Sequence, residues 1–250
     1  MTHRARILWT LLATLLALLV TDSSRAASSG KDVLTKVDRA QSQYTSLMLT
    51  YDVVTHESGR GDLHMKIRTR FKGDKQFTEF LAPGDVKGTR VLHLSDTKMY
   101  IYLPAFRKVR RVASHVNEQG MMGTTFSGRD MHITQYGGYY DADVLSEDGG
   151  SWILRLRARS DSHAPYPKLE LTVSKKLELP TEIKYFNDQG KHVKTETRWE
   201  FFCEDKVCLA RHQRMTDHTK GDKYSQVNLR DYEINPSIPD KLFSKRSLRP

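Results

Sequence analysis

Cysteine is nearly absent. The 250-residue chain has two, Cys203 and Cys208, too few for a disulfide-built scaffold. The four-residue gap between them is too wide for a redox CxxC pair, and they lack the further close ligands that a zinc site needs. Recognisable catalytic signatures are absent as well: there is no nucleophile elbow, no HExxH, no Walker A loop and no dinucleotide fingerprint. Beyond Val20 no apolar run approaches the roughly 20 residues of a membrane-spanning helix. These gaps argue against a metalloenzyme, a nucleotide-dependent enzyme and a polytopic membrane protein, and a secreted hydrolase with a dispersed site remains only a weak rival.

The first residues carry a different signal. Arg4 and Arg6 precede an uncharged stretch, Ile7–Val20, and Ser24-Arg25-Ala26 follows with small residues at the positions read for cleavage. This is the pattern of a secretory signal peptide spanning 1–26. No cysteine follows the run, so it offers no site for a lipid anchor. The remaining chain, 27–250, reads as one domain. The formal charge is +10, and +8 once the leader is removed. Outside the cytoplasm such a charge looks to lipid headgroups, lipopolysaccharide or an acidic protein rather than to nucleic acid. In an exported protein Cys203 and Cys208, flanking a polar turn between two apolar strands, read as a disulfide stapling a hairpin.

One amphipathic helix is expected at the start, where Val33, Leu34, Val37, Ala40 and Tyr44 recur at helical spacing. Period-two patterning follows. Strands are predicted over 46–56, 63–72, 76–81, 88–94, 98–103 and 107–112, and again over 141–145, 152–160, 168–175, 181–186, 192–203, 208–217 and 225–234. Each is bounded by Gly, Pro or Asp turn signals. Between the two groups, 114–136 loses the alternation and holds Met121, Met122, Phe126 and Met131. It reads as a loop with one or two short helices crossing a sheet face. The tail from Pro236 to Phe243 predicts a short helical turn. The expected class is mainly β with a few helices, an antiparallel meander.

Three features carry candidate function. Met99, Ile101 and Leu103 share one strand face, as do Trp152, Leu154 and Leu156, Leu169, Leu171 and Val173, and Trp199 and Phe201. A sheet needs a buried face, so plain core is the simpler account, and an apolar ligand cavity is the functional one. The flexible thioethers of Met121, Met122 and Met131, with Phe126 and nearby glycines, suit a lid that repacks around varied ligands. Arg107, Lys108, Arg110 and Arg111 form a basic run fit for headgroup or partner contact, or merely a charged edge strand. His212 and His218, and Asp141 and Asp143, share strand faces but offer too little for a metal or acid–base site. No cofactor and no metal are expected.

The segment Phe80–Val112 and its continuation resemble the outer-membrane lipoprotein-sorting (LolA-like) family. The likeness rests on Phe80 to Pro83, Lys87-Gly88-Thr89, the strand Met99-Tyr100-Ile101-Tyr102-Leu103-Pro104, Lys108-Val109-Arg110-Arg111, Gly120–Gly123, and Phe126 with Asp130-Met131. The closing Ile238-Pro239-Asp240-x-Leu242-Phe243 fits as well. The resemblance implies a strongly curved, incomplete antiparallel β-barrel whose concave side is plugged by helices around a hydrophobic cavity. It implies a monomeric, non-enzymatic periplasmic carrier of lipid or lipid-modified protein, delivering cargo towards the outer membrane between an inner-membrane transporter and an outer-membrane acceptor. An accessory subunit docking on a lipid exporter is the alternative. This chain is longer and more basic than the best-known lipoprotein carriers, so the cargo is not carried over.

Overall fold

The computed structural model describes residues 28–95, 98–112, 120–128, 130 and 135–250. The expected signal peptide and much of the 114–136 segment lie outside these residues. Among these residues one α-helix, α1 (Gly30–Gln41), precedes thirteen strands. The first group is β1 (Ser46–His56), β2 (Leu63–Lys72), β3 (Lys75–Ala82), β4 (Arg90–Ser95), β5 (Lys98–Leu103) and β6 (Lys108–Arg111). The second is β7 (Tyr140–Glu147), β8 (Ser151–Ala158), β9 (Lys168–Ser174), β10 (Pro180–Phe186), β11 (His192–Glu204), β12 (Val207–Asp217) and β13 (Lys223–Ile234).

All thirteen form one antiparallel sheet, in the order β6-β5-β4-β3-β2-β1-β13-β12-β11-β10-β9-β8-β7. The chain runs outward from the centre along the first meander and crosses over to the far edge. It then returns along the second meander until β13 pairs with β1, Leu47 opposite Ile234 and Val53 opposite Val227. The sheet does not close into a barrel: β6 and β7 are its two ends. Among the described residues α1 is the one α-helix, and the crossover contributes a short 3-10 turn, Met121–Gly123.

The two faces are covered differently. On the inner face Val33, Leu34 and Val37 of α1 pack in one cluster with Leu154, Leu156, Leu169, Leu171, Ile183 and Met215, joined by Phe126 and Tyr136 from the crossover and Tyr140 at the start of β7. The start of α1 lies hard against β7. A Cβ on Gly30 would stand 2.1 Å from the Ala142 carbonyl oxygen, so glycine is what permits this approach. On the outer face Phe77, Leu92 and Tyr102 are covered by Ile238, Phe243 and Leu248 of the C-terminal tail, which forms two 3-10 turns, Asp240–Phe243 and Lys245–Leu248. Alternation therefore splits β5 as the sequence predicts: Met99 inward, Tyr102 outward.

Candidate functional site: an apolar cavity on the inner face

The inner face is filled over one half and hollow over the other. A cavity of about 240 Å³ lies beyond the C-terminal end of α1, against β1, β2, β3, β11, β12 and β13. Leu49, Tyr51, Val53, Met65, Ile67 and Phe80 form one wall, and Phe201, Leu209, Ala210 and Val227 another. Ala40, Gln41 and Tyr44 close it from the helix side, while Met121, Thr124 and Phe126 of the crossover lie over it. Volume alone does not single it out. A depression of about 610 Å³ is larger but mixed, with Asp188, Lys194, Asp217 and Lys220 beside Ala164, Pro165 and Val193. The aliphatic and aromatic lining is what suits the smaller cavity to an apolar ligand.

The candidate residues distribute unevenly. Met121, Phe126 and Phe201 line the cavity. Leu154, Leu156, Leu169 and Leu171 are fully buried beneath α1, whose apolar stripe occupies the space above them, so they are filled core rather than cavity wall. Met99 is also core, and Ile101 and Met122 pack partly buried against it. Trp152 is buried, and its indole N–H donates to Ser28 Oγ at 3.2 Å, with Lys36 and Lys175 over the ring. Leu103 is half-buried at the end of β5. Met131 lies outside the described residues. Trp199 and Phe201 part company. Trp199 stacks on His212 at 5.3 Å, away from the cavity that Phe201 lines. Between them Glu200 takes a left-handed φ of 54°, which breaks the two-residue alternation the sequence suggests.

The basic run occupies the edge strand. Arg107 caps the turn before β6, and Lys108, Arg110 and Arg111 are exposed. His212 Nδ1 donates to Asn228 Oδ1 and the ring contacts Glu200, while His218 contacts Asp222 and Thr195. They do not converge, and among the described residues no group of three metal-ligating side chains forms. Cys203 and Cys208 are bonded, and Val207 and Cys208 border the cavity.

Sequence patterning missed a set of buried and half-buried charges. Lys194, Glu196 and Arg198 fall on the inward side of β11, where apolar residues are expected. Arg198 Nε meets Glu196 Oε1 at 2.6 Å, and the Tyr185 hydroxyl donates to Glu196 Oε2 at 2.7 Å. Burial, the largest single influence, would push the Arg198 guanidinium down. The Glu196 carboxylate, then Tyr136 and Tyr185, together outweigh it and hold the group charged. Lys194 Nζ reaches Asp130 Oδ2 at 2.9 Å, and Tyr166 donates to Asp130 Oδ1 at 2.8 Å. Asp38 of α1 accepts the Tyr136 and Gly137 backbone N–H groups at 2.6 and 2.8 Å. Burial raises its pKa, and those two hydrogen bonds oppose the rise. With Thr125 held by Ser225 and Met215, these links tie Thr125, Asp130, Tyr136 and Gly137 to the sheet and helix.

The part of the crossover over the cavity is held more lightly. The Met121–Gly123 turn has left-handed backbone at Met122 (φ 49°) and Gly123 (φ 86°), and it is tied mainly within itself, through Met121, Thr124 and Phe126. Inside the cavity, Glu196 and Arg198 meet the void on one side and Gln76, Thr78 and Thr69 on the other. Gln76 is 4% exposed, donates from Nε2 to Thr78 Oγ1 at 3.2 Å, and its Oε1 finds no partner among the described residues. A buried acceptor left unmet is costly, and its place in a cavity wall suits a group that a guest supplies.

Comparison with known proteins bears on this geometry. A family model described as "-like: Uncharacterized protein" matches residues 72–250. Among curated proteins no relative matches. A DUF1329 family protein from Desulfovibrio piger shares the fold with a TM-score of 0.80 at 19% identity, covering 88% of this chain and 97% of its own. A domain from Vibrio parahaemolyticus described as an outer membrane lipoprotein-sorting protein gives 0.77 at 21% identity, covering 88% and 98%. A LolA superfamily protein from Nitrosomonas europaea gives 0.74 at 18% identity, covering 88% and 100%. At these identities the structures speak for the fold, while the family match extends over more than half of the chain. The chain belongs to the family whose model spans residues 72–250, and it shares the fold of these three solved structures.

Proposed function

We propose that this protein is a non-enzymatic periplasmic carrier for lipid or lipid-modified protein, and that an acyl chain of the cargo occupies the cavity between α1 and strands β1–β3 and β11–β13. The observation that carries the reading is the half-vacant inner face. The same sheet side that is packed solid under α1 by Leu154, Leu156, Leu169 and Leu171 is left open beside Leu49, Val53, Phe80 and Val227. Cargo binds by apolar burial, without covalent chemistry, and leaves without a bond being broken. The Met121–Thr124 turn is the cover, because its flexible side chains lie over the void while the segment after it is pinned. The signal-peptide pattern supports export, and among the described residues no helix is long and apolar enough to cross a membrane.

The test is extraction of the purified protein with organic solvent and mass spectrometry of the extract, paired with titration of a fluorescent fatty acid. A co-purified acyl lipid, or saturable uptake competed by unlabelled lipid, is the expected result. Clean protein that also ignores the fluorescent probe overturns the carrier reading.

A further inference from the structure

We infer that the β6 edge and the C-terminal turn together form a docking site for the phosphate headgroups of an anionic lipid bilayer. This site is separate from the cavity and stands whether or not the cavity carries cargo.

β6 is the last strand of the sheet. Its pairing with β5 sets Lys108 and Arg110 opposite Leu103 and Ile101, and Val109 and Arg111 opposite Tyr102 and Tyr100. Basic side chains therefore leave both faces of the edge. The C-terminal turn then adds to one of them. Leu248 is fully buried in the outer cluster with Leu92 and Tyr102, and this anchor brings the neighbouring Lys245, Arg246 and Arg249 beside Arg111. The result is an open groove of about 590 Å³ lined by Tyr100, Val109, Arg111, Lys245, Arg246 and Arg249. Four of the six are cations and none is acidic. Lys245 Nζ sits 4.3 Å from the Tyr100 ring centre.

The β5–β6 turn supplies the second observation. Phe106 is 61% exposed, well above Leu145 and Ile153. Arg107 follows it in left-handed backbone, and the Arg110 guanidinium lies 5.8 Å from its ring. A cationic groove alone would take any phosphate or carboxylate. An exposed aromatic flanked by arginines on the same strand edge fits a bilayer interface, where the ring enters the headgroup–acyl boundary and the cations meet the phosphates. Sequence reading finds the run at 107–111, but it does not join Lys245, Arg246 and Arg249 to it, because more than 130 residues separate them.

The experiment is flotation of the protein with phosphatidylcholine vesicles, with and without phosphatidylglycerol. Recovery with the anionic vesicles alone, weakening as salt is raised, is expected. Replacing Lys245, Arg246 and Arg249 together by Gln lowers the partition about 100-fold, at about fivefold per cation near an anionic surface. Phe106→Ser lowers it further without changing the salt dependence. Circular dichroism and the unfolding midpoint show that each variant keeps its fold. Recovery that is equal on neutral vesicles, absent on all vesicles, or unmoved by the triple variant overturns the proposal. Binding to polyglutamate but not to vesicles also overturns it, in favour of an acidic protein partner.

Discussion

The cavity makes a quantitative demand on chain length. A methylene takes up roughly the liquid volume of one water, about 30 Å³, so a void of about 240 Å³ accepts about eight of them. Each buried CH₂ is worth about 0.8 kcal/mol, so the full chain yields ~6 kcal/mol before the costs of association. In a series of alkyl amphiphiles of increasing length, affinity should rise about fourfold per carbon and then level off near eight carbons, measured by displacement of a fluorescent fatty acid. The informative variant is Ala40→Phe, because Ala40 lines the cavity at the end of α1 and a ring there removes room for about four methylenes. The loss is ~3 kcal/mol, or about 200-fold for the longest saturating chain, with little change for a four-carbon one. The plateau should shift to shorter chains. If affinity climbs without a plateau, or Ala40→Phe leaves the long-chain affinity intact, the ligand lies outside this cavity and the reasoning fails.

Other consequences follow from the surroundings. Arg198→Met strips the buried Glu196 carboxylate of its half-buried cation and should cost ~3 kcal/mol in denaturant unfolding, while Arg198→Met with Glu196→Leu recovers most of it; a neutral Arg198→Met would show that the pair is not held as described. Gly30→Ala drives a methyl into the β7 backbone at Ala142, with no flexible side chain to yield, so about 3 kcal/mol or more should be lost; an unchanged unfolding midpoint would mean that α1 does not press on β7. The Glu147 carboxyl is held down at about 2, chiefly by its hydrogen bond from Lys175, with Ser28 adding to it. Its folded value lies below its ordinary one, so its contribution is complete above about 4.5 and is lost as pH falls towards 2. A carboxyl NMR titration should place its midpoint near 2, and a midpoint near the ordinary glutamate value would remove this tie between the start of α1 and β7.

What the sequence determined by itself was the list of elements and their faces. Alternation located thirteen strands close to their observed bounds, with β1, β2 and β5 matching end for end, because a half-buried sheet imposes a period of two wherever it occurs. It placed the opening helix, although the helix stops at Gln41 and leaves Tyr44 to line the cavity. It joined Cys203 to Cys208, since a short hairpin admits that partner. The tertiary structure alone decided where the inner face is full and where it is empty. Periodicity groups Trp152, Leu154 and Leu156 on one strand face, but which face turns inward, and whether it is core or cavity wall, depends on where a single helix comes to rest, and α1 rests on β7 and covers the β8–β9 side. It also decided the role of Lys194, Glu196 and Arg198. In one dimension they read as the polar face of β11. In the folded protein they point inward, because Asp130, Tyr136, Tyr166 and Tyr185 arrive from distant parts of the chain to meet them. Such pairings lie far apart in sequence, and no local pattern records them.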